Sequence, residues 1–274
     1  ADPGSETFYG MGRMASGIEV PFEGGEYYAL KDVPHGDIRM KRYYSEVSRS
    51  WRRFFVYTPA GYDTRTDEKY PVLYLLHGGG EDERGWGTQG KTDLIMDNLI
   101  AAGKAKPMLV VMLDGNMPSA GFSAGALKAF EAELMQAVIP FVEDNYRVRK
   151  EADSRALAGL SMGGIQTLYA GLYHTDLFAH LGVFSSGWLP FYQKIADDQY
   201  EFINKNKAAI DSQLRLLWIA MGGKEDIAYQ NCQNMLKEFD TLKLKYTYSE
   251  YPGGHTWPVW RNNLYHFAQL LFNK

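Results

Sequence analysis

Apolar and polar positions alternate along this chain in two rhythms. Six short runs, "YPVLYLLHG" (70–78), "PMLVVMLDG" (107–115), "SRALAGL" (154–160), "HLGVFSS" (180–186), "LRLLWIAMG" (214–222) and "KYTYSEYP" (245–252), read as strands, and the middle ones are continuously apolar. Segments near 91–103, 127–145, 163–174, 200–211, 227–240 and 258–272 read as helices. In 127–145, for example, Leu127, Phe130, Leu134, Val138 and Phe141 fall on one face. Upstream, "DIRMKRYYSEV" (37–47) and "WRRFFVYTP" (51–59) alternate and are rich in β-branched or aromatic residues, which predicts two strands joined by a short polar turn. Strands without polar alternation are what a parallel sheet covered on both faces requires. The expectation is therefore an α/β domain over 37–274, with a mostly parallel eight-stranded sheet and helices on both faces. Residues 1–36, rich in Gly, Pro and acidic side chains, read as an irregular lead-in that packs on this domain or links to something upstream. No internal repeat or low-complexity tract is visible.

Composition narrows the picture only in places. A length of 274 residues suits one large α/β unit. A net charge of −4 with both signs scattered gives no support for a nucleic-acid or anionic-membrane partner. No apolar run is long enough to span a bilayer. The opening "ADPGSETFYG" has neither a basic nor an apolar region and does not read as a signal peptide. Cys232 is the sole cysteine, so an intrachain disulfide and a cysteine metal site are excluded. No HExxH-type ligand set occurs, and no metal or other cofactor is expected.

The chemistry concentrates around a serine. G-x-S-x-G occurs twice, at Gly159–Gly163 and at Gly121–Gly125. A nucleophile elbow needs a strand running straight into the serine and a helix running straight out. Ser161 meets that condition. Ser123 follows an eight-residue loop and reads as the approach to the 127–145 helix. A serine hydroxyl needs a base, and the base needs an orienting acid, in the chain order Ser, Asp or Glu, His. Of the later histidines, His180 begins a strand and His266 lies inside the last helix. His255, in the loop "YPGGHTW" after the last strand, is the candidate base. Glu225 and Asp226 follow the preceding strand. Asp226 is the favoured acid, with Glu225 as a helix N-terminal charge. Oxyanion donors are expected from the Met162 amide and from "HGGG" at 77–80, with Gly79 first and Gly80 second. That loop lacks the Lys-Ser/Thr ending of a phosphate cradle, and Glu81, Asp82 and Glu83 would repel phosphate. His77 reads as a pin for the loop.

On these residues the chain resembles the esterase D-like group of carbohydrate esterase family 1, feruloyl and acetylxylan esterases among them. The likeness rests on "YPVLYLLHGGGEDERGW", "GLSMGG" and "YPGGHTWPVWRNNLYHFAQLLF" and covers nearly everything from residue 37 on. It implies an α/β-hydrolase fold, triad roles for Ser161, Asp226 and His255, and an oxyanion hole at Gly79 and Met162. The stretch "DPGSETFYG…ASGIEVP…VPHGDIRMKRYYS" resembles the join at which an immunoglobulin-like carbohydrate-binding module precedes such an esterase. The resemblance thus implies a covalently linked upstream module, a plant cell-wall polysaccharide or feruloylated oligosaccharide as substrate, and a secreted or periplasmic location. Glu81 departs from relatives that carry another Gly there.

The expected activity is hydrolysis of feruloyl esters on arabinoxylan, with acetylxylan esterase as the alternative. An S-formylglutathione hydrolase, a sugar acyltransferase and an inactive carbohydrate-binding domain fit less well. A flat aryl acid wants an apolar slot and a stacking partner. Candidate walls are Trp188 with Leu189 and Pro190, then Trp257, Trp260 and Trp86, with Gln166 facing the site or solvent. Trp51 and Trp218, within strands, read as core.

Overall fold

The structure, a computed structural model, describes residues 5–20, 23–118 and 121–273. Two strands form a hairpin by themselves, β1 (Glu6–Gly10) and β2 (Arg13–Gly17). Eight more make one sheet: β3 (Asp37–Ser45), β4 (Ser50–Thr58), β5 (Val72–Leu76), β6 (Leu109–Leu113), β7 (Arg155–Leu160), β8 (His180–Phe184), β9 (Leu216–Met221) and β10 (Thr247–Glu250). Their spatial order is β10-β9-β8-β7-β5-β6-β4-β3. The β3–β4 and β4–β6 pairs are antiparallel and every other pair is parallel. All eight strands expected from the sequence are present.

Among the described residues seven α-helices cover this sheet: α1 (Thr92–Ala101), α2 (Ala124–Glu133), α3 (Ile139–Asn145), α4 (Met162–Tyr173), α5 (Gln193–Gln213), α6 (Tyr229–Thr241) and α7 (Trp257–Leu270). A π-helical turn, Leu134–Val138, joins α2 to α3. Every residue of β5 is buried, and its side chains divide by parity. Tyr74 and Leu76 join a core with α2 to α6, whereas Leu73 and Leu75 join one with α1 and α7. This is the mainly parallel, doubly covered sheet of an α/β-hydrolase fold.

Three expectations need correction. The lead-in is not irregular throughout, because β1 and β2 pair around a two-residue turn. Both turn residues, Met11 (φ 52°) and Gly12 (φ 75°), have positive φ, the geometry that matches hairpin twist. Methionine at the first of these positions hid the turn. The hairpin sits on the loop after β5, with Gly12 N donating to Gly80 O (3.3 Å) and Gln89 exchanging hydrogen bonds with the backbone of Tyr9. Second, α5 begins seven residues earlier than 200. Its inner face runs through Ala196, Gln199, Ile203 and Ile210, and the buried Gln199 Nε2 donates to Leu168 O (2.8 Å). A glutamine in an apolar slot concealed the period. Third, Trp51 is 72% exposed. Strand parity sends Phe54 and Val56 inward, so Arg52 takes the inner position and Trp51 the outer. Arg52 donates there to Asp114 O (2.6 Å) and forms an ion pair with Glu133 (3.4 Å). Trp218 is core.

Candidate active site

β7 runs directly into Ser161, and α4 starts at the next residue. Ser161 has φ 52° and ψ −114°, a conformation that costs a non-glycine residue about 1–3 kcal/mol. Its surroundings hold it there. Ser161 N donates to Phe184 O (2.9 Å), Ser186 Oγ donates to Ser161 O (2.7 Å), and Gly163 N donates to His77 O (3.1 Å). The flanking glycines are required by contact. A Cβ on Gly159 would lie 2.5 Å from the Gly163 backbone, and one on Gly163 would lie 2.6 Å from His77 O. The G-x-S-x-G spacing is thus the trace of a crossing where strand, helix and neighbouring loop touch.

His255 Nδ1 lies 2.8 Å from Asp226 Oδ1, which also accepts from Ala228 N (2.9 Å). The Asp226 side chain is fully buried. Burial alone pushes a carboxyl up, but the His255 ring, the Ser185 hydroxyl and the Ala228 amide outweigh it and hold Asp226 below its ordinary value. Ionised Asp226 makes His255 Nδ1 the donor and leaves Nε2 as the basic nitrogen. Ser161 and His255 line one cavity of about 610 Å³, together with Gly79, Gly80 and Met162. Met162 is the first residue of α4, so its amide points out of a helix N-terminus, where negative charge is stabilised. The other G-x-S-x-G serine has a different task. Ser123 Oγ accepts from Ala126 N (3.1 Å) as the N-cap of α2.

The loop after β5 is tied down at both ends. His77 is buried, with Nδ1 2.8 Å from Gly78 O and Nε2 3.2 Å from Asp114 Oδ1. Glu81 folds back over its own loop. Its Oε2 accepts from Gly78 N (3.1 Å) and its Oε1 from Trp257 Nε1 (2.8 Å). Burial raises the Glu81 carboxyl while these two donors oppose the shift. Glu81 therefore joins the Gly79 loop to the start of α7, two residues past His255. The two N–H donors face different oxygens of Glu81, so glutamine in the same place would set its NH2 group against one of them. Glu81→Gln is expected to lower kcat about tenfold to a hundredfold with KM little changed. Trp257→Phe, which removes one donor, should cost less. Steady-state kinetics on a small ester checks both, and an unchanged kcat in Glu81→Gln would show that the tie does not matter.

The acyl-sized space is built differently from the sequence expectation. Its apolar wall comprises Met11, Phe122, Ile165, Leu189 and Ile227. None of the four proposed tryptophans lines this cavity. Trp86 is 1% exposed and donates Nε1–H to Leu76 O (2.9 Å). Trp260 belongs to the buried stripe of α7 with Leu264, Phe267 and Ala268. It meets the space only through the His255 ring, edge to face at 5.0 Å. Trp257 lies against Trp86 and Trp260, with ring centroids at 5.1 and 5.2 Å. Trp188 is buried beside Tyr192, and its neighbours Gly187 and Leu189 line the cavity in its place. Gln166 is buried with Nε2 donating to Gly115 O (2.7 Å). The residues that sequence reasoning missed, Met11, Phe122, Ile165 and Ile227, come from four separate segments. Phe122 carried a signal, since it stands inside the second G-x-S-x-G match. Among the described residues no cluster of His, Cys, Asp and Glu could hold a metal ion, and no helix is long and apolar enough to cross a membrane.

Comparison with known proteins bears on the family. The endo-1,4-beta-xylanase/feruloyl esterase of Xylanibacter ruminicola is 35% identical over 99% of the chain, which spans 36% of that protein. Endo-1,4-beta-xylanase Y of Acetivibrio thermocellus is 27% identical over 89% of the chain, which spans 24% of it. The chain thus covers about a third or less of the length of these relatives. The solved feruloyl esterase module from Clostridium thermocellum, complexed with sinapinate, superposes with a TM-score of 0.77 at 25% identity. That match covers 94% of this chain and 95% of the module. The Esterase family model matches residues 45–269, and the chain belongs to that family.

Proposed function

We propose that this chain is a serine esterase that hydrolyses feruloyl and related hydroxycinnamoyl esters on plant arabinoxylan. The observation that carries the reading is the cavity holding Ser161 and His255, which has an apolar wall and a volume of about 610 Å³. A space of that size and lining suits a flat aryl acid, and an acetyl group needs only a fraction of it. The names of the xylanase/feruloyl esterase relative and of the sinapinate complex support the same substrate class.

In this reading Ser161 Oγ attacks the ester carbonyl as His255 Nε2 takes its proton. The Met162 and Gly79 amides hold the oxyanion of the tetrahedral intermediate. Protonated His255 gives that proton to the departing sugar oxygen, leaving a feruloyl-Ser161 ester. Water then attacks this ester, again losing its proton to His255, and ferulate leaves as Ser161 regains its hydrogen. Asp226 orients the ring and stabilises the imidazolium throughout. No cofactor enters. The resemblance further supports export and a covalently attached carbohydrate-binding module.

The test compares kcat/KM for methyl ferulate with that for an aryl acetate. A preference for ferulate of at least about tenfold is expected, since filling the apolar slot contributes in the transition state. Acetate turnover with no ferulate turnover would move the protein to the acetylxylan esterases.

A further inference from the structure

The exposed tryptophan on β4 is part of a larger feature. The β3–β4 register pairs Tyr44 with Trp51 and Arg42 with Arg53, so strand parity places these four side chains on one face at the sheet edge. Tyr44 is 47% exposed, and its ring meets that of Trp51 edge to face at 5.8 Å. Beside them opens a cleft of about 520 Å³, walled by Trp51, Arg53, Glu83, Asp114, Asn116 and Tyr9. Single exposed aromatics are ordinary. An exposed indole at the mouth of a polar cleft is a different object, because one face offers stacking and the other offers hydrogen bonds.

The charges of the cleft indicate what kind of ligand fits. Arg53 pairs with Glu83, Arg84 with Asp82, and Arg52 with Asp114 (3.8 Å). Arg42 also lines the cleft with no carboxylate paired to it among the described residues, but Glu81 lines it too, so four guanidiniums, Arg42, Arg52, Arg53 and Arg84, stand among four carboxylates, Glu81, Asp82, Glu83 and Asp114, and no net charge recruits a phosphate, a carboxylate or a cation. Paired ions beside an exposed carboxamide still present donors and acceptors to hydroxyl groups. That combination suits a neutral polyhydroxylated ring, with an apolar C–H face for the indole and hydroxyls at its rim.

Position supplies the link to the reaction. Gly79 and Gly80 line the acyl cavity, and the next residues of the same loop, Glu81 to Glu83, line the cleft. The β1–β2 hairpin spans the two in the same way, with Met11 on the acyl cavity and Tyr9 on the cleft. The oxyanion loop therefore runs between them. An ester whose carbonyl oxygen lies at Gly79, with its acyl group in the apolar cavity, has the cleft on the other side of the loop.

We propose that this cleft is a binding subsite for the saccharide chain that carries the ester, with Trp51 stacking on a neutral pentose ring. The proposal rests on the esterase reading above and extends it to the leaving group. Trp51→Ala is the test, because an exposed side chain can be removed without opening the core. kcat/KM is measured on methyl ferulate and on a feruloylated arabinoxylo-oligosaccharide. Trp51→Ala should lose about tenfold on the oligosaccharide, mainly through KM, and change less than about twofold on methyl ferulate. Trp51→Phe should recover most of the loss. Equal values for wild type and Trp51→Ala on the oligosaccharide would overturn the proposal, as would an equal loss on both substrates. If the wild type cleaves acetate and not ferulate, the feruloyl reading fails by itself. The same contrast between an acetylated xylo-oligosaccharide and an aryl acetate then decides the subsite. Titration with an unesterified arabinoxylo-oligosaccharide gives a readout free of turnover. Binding that weakens in Trp51→Ala supports the subsite, and binding of equal strength in both proteins counts against it.

Discussion

Ser161→Ala is expected to lower kcat for every ester substrate by about 10⁴- to 10⁶-fold, the range seen when a serine nucleophile is removed from a triad. The residual rate should be that of the remaining pocket and oxyanion donors, with KM little changed. Folding should not suffer. Alanine keeps the Cβ in the same space, and the three hydrogen bonds that hold the elbow use Ser161 N, Ser161 O and Gly163 N, not the Ser161 hydroxyl. The positive φ of 52° persists in alanine, whereas Ser161→Gly relieves it. Ser161→Gly should therefore be equally inactive yet more stable than Ser161→Ala by up to about 1 kcal/mol. Ser123→Ala provides the contrast. It should keep full activity while losing about 0.5–2 kcal/mol of stability with its N-cap. Hydrolysis assays beside thermal melts read all three. Wild-type activity in Ser161→Ala with loss in Ser123→Ala would reverse the assignment.

Asp226→Asn carries the second large effect. The 2.8 Å contact with His255 Nδ1 survives as a distance, but an amide can present N–H to the ring as readily as oxygen. A donor facing Nδ1 leaves the proton on Nε2, where it cannot accept from Ser161. A fall in kcat of about 10³- to 10⁴-fold near neutral pH is expected. Stability follows from the lowered carboxyl. A group held below its unfolded value binds fewer protons when folded. Its contribution is complete above the unfolded pKa and disappears as pH falls through the folded one. Wild type should thus lose stability relative to Asp226→Asn as pH drops below about 4. Denaturant melts of the two proteins at pH 7 and pH 3 measure this. A stability difference that stays constant between those values would mean that Asp226 is not held ionised by its surroundings.

The sheet was legible because continuous apolar runs of five or six residues have one stable use, a strand covered on both faces. The places of the candidate residues Ser161, His255 and Asp226 in the fold were legible because each follows a strand closely. Ser161 has no linker at all, and the other two stand in short Gly-rich loops whose positions the strands dictate. The tryptophans were not legible. Local spacing places Trp257 and Trp260 near His255. Which way each ring turns is settled by α7 as a whole, whose buried stripe takes Trp260 inward and whose first turn gives the Trp257 N–H to Glu81. Trp51 failed for the converse reason, since a strand residue can face either side and its parity was misjudged.

By itself the sequence determined the order of elements, the elbow serine with its two obligatory glycines, and the chain order of the three candidate triad residues. These follow from neighbours within a few residues, where steric contact and hydrophobic period leave little choice. The tertiary structure alone decided the composition of the acyl cavity, the tie from Glu81 to both Gly78 and Trp257, and the polar cleft beside Trp51. Each brings together residues far apart in the chain, as with Met11, Phe122 and Ile227 around Ser161. No local pattern encodes such meetings, because they depend on how the loops pack at the carboxyl ends of the strands.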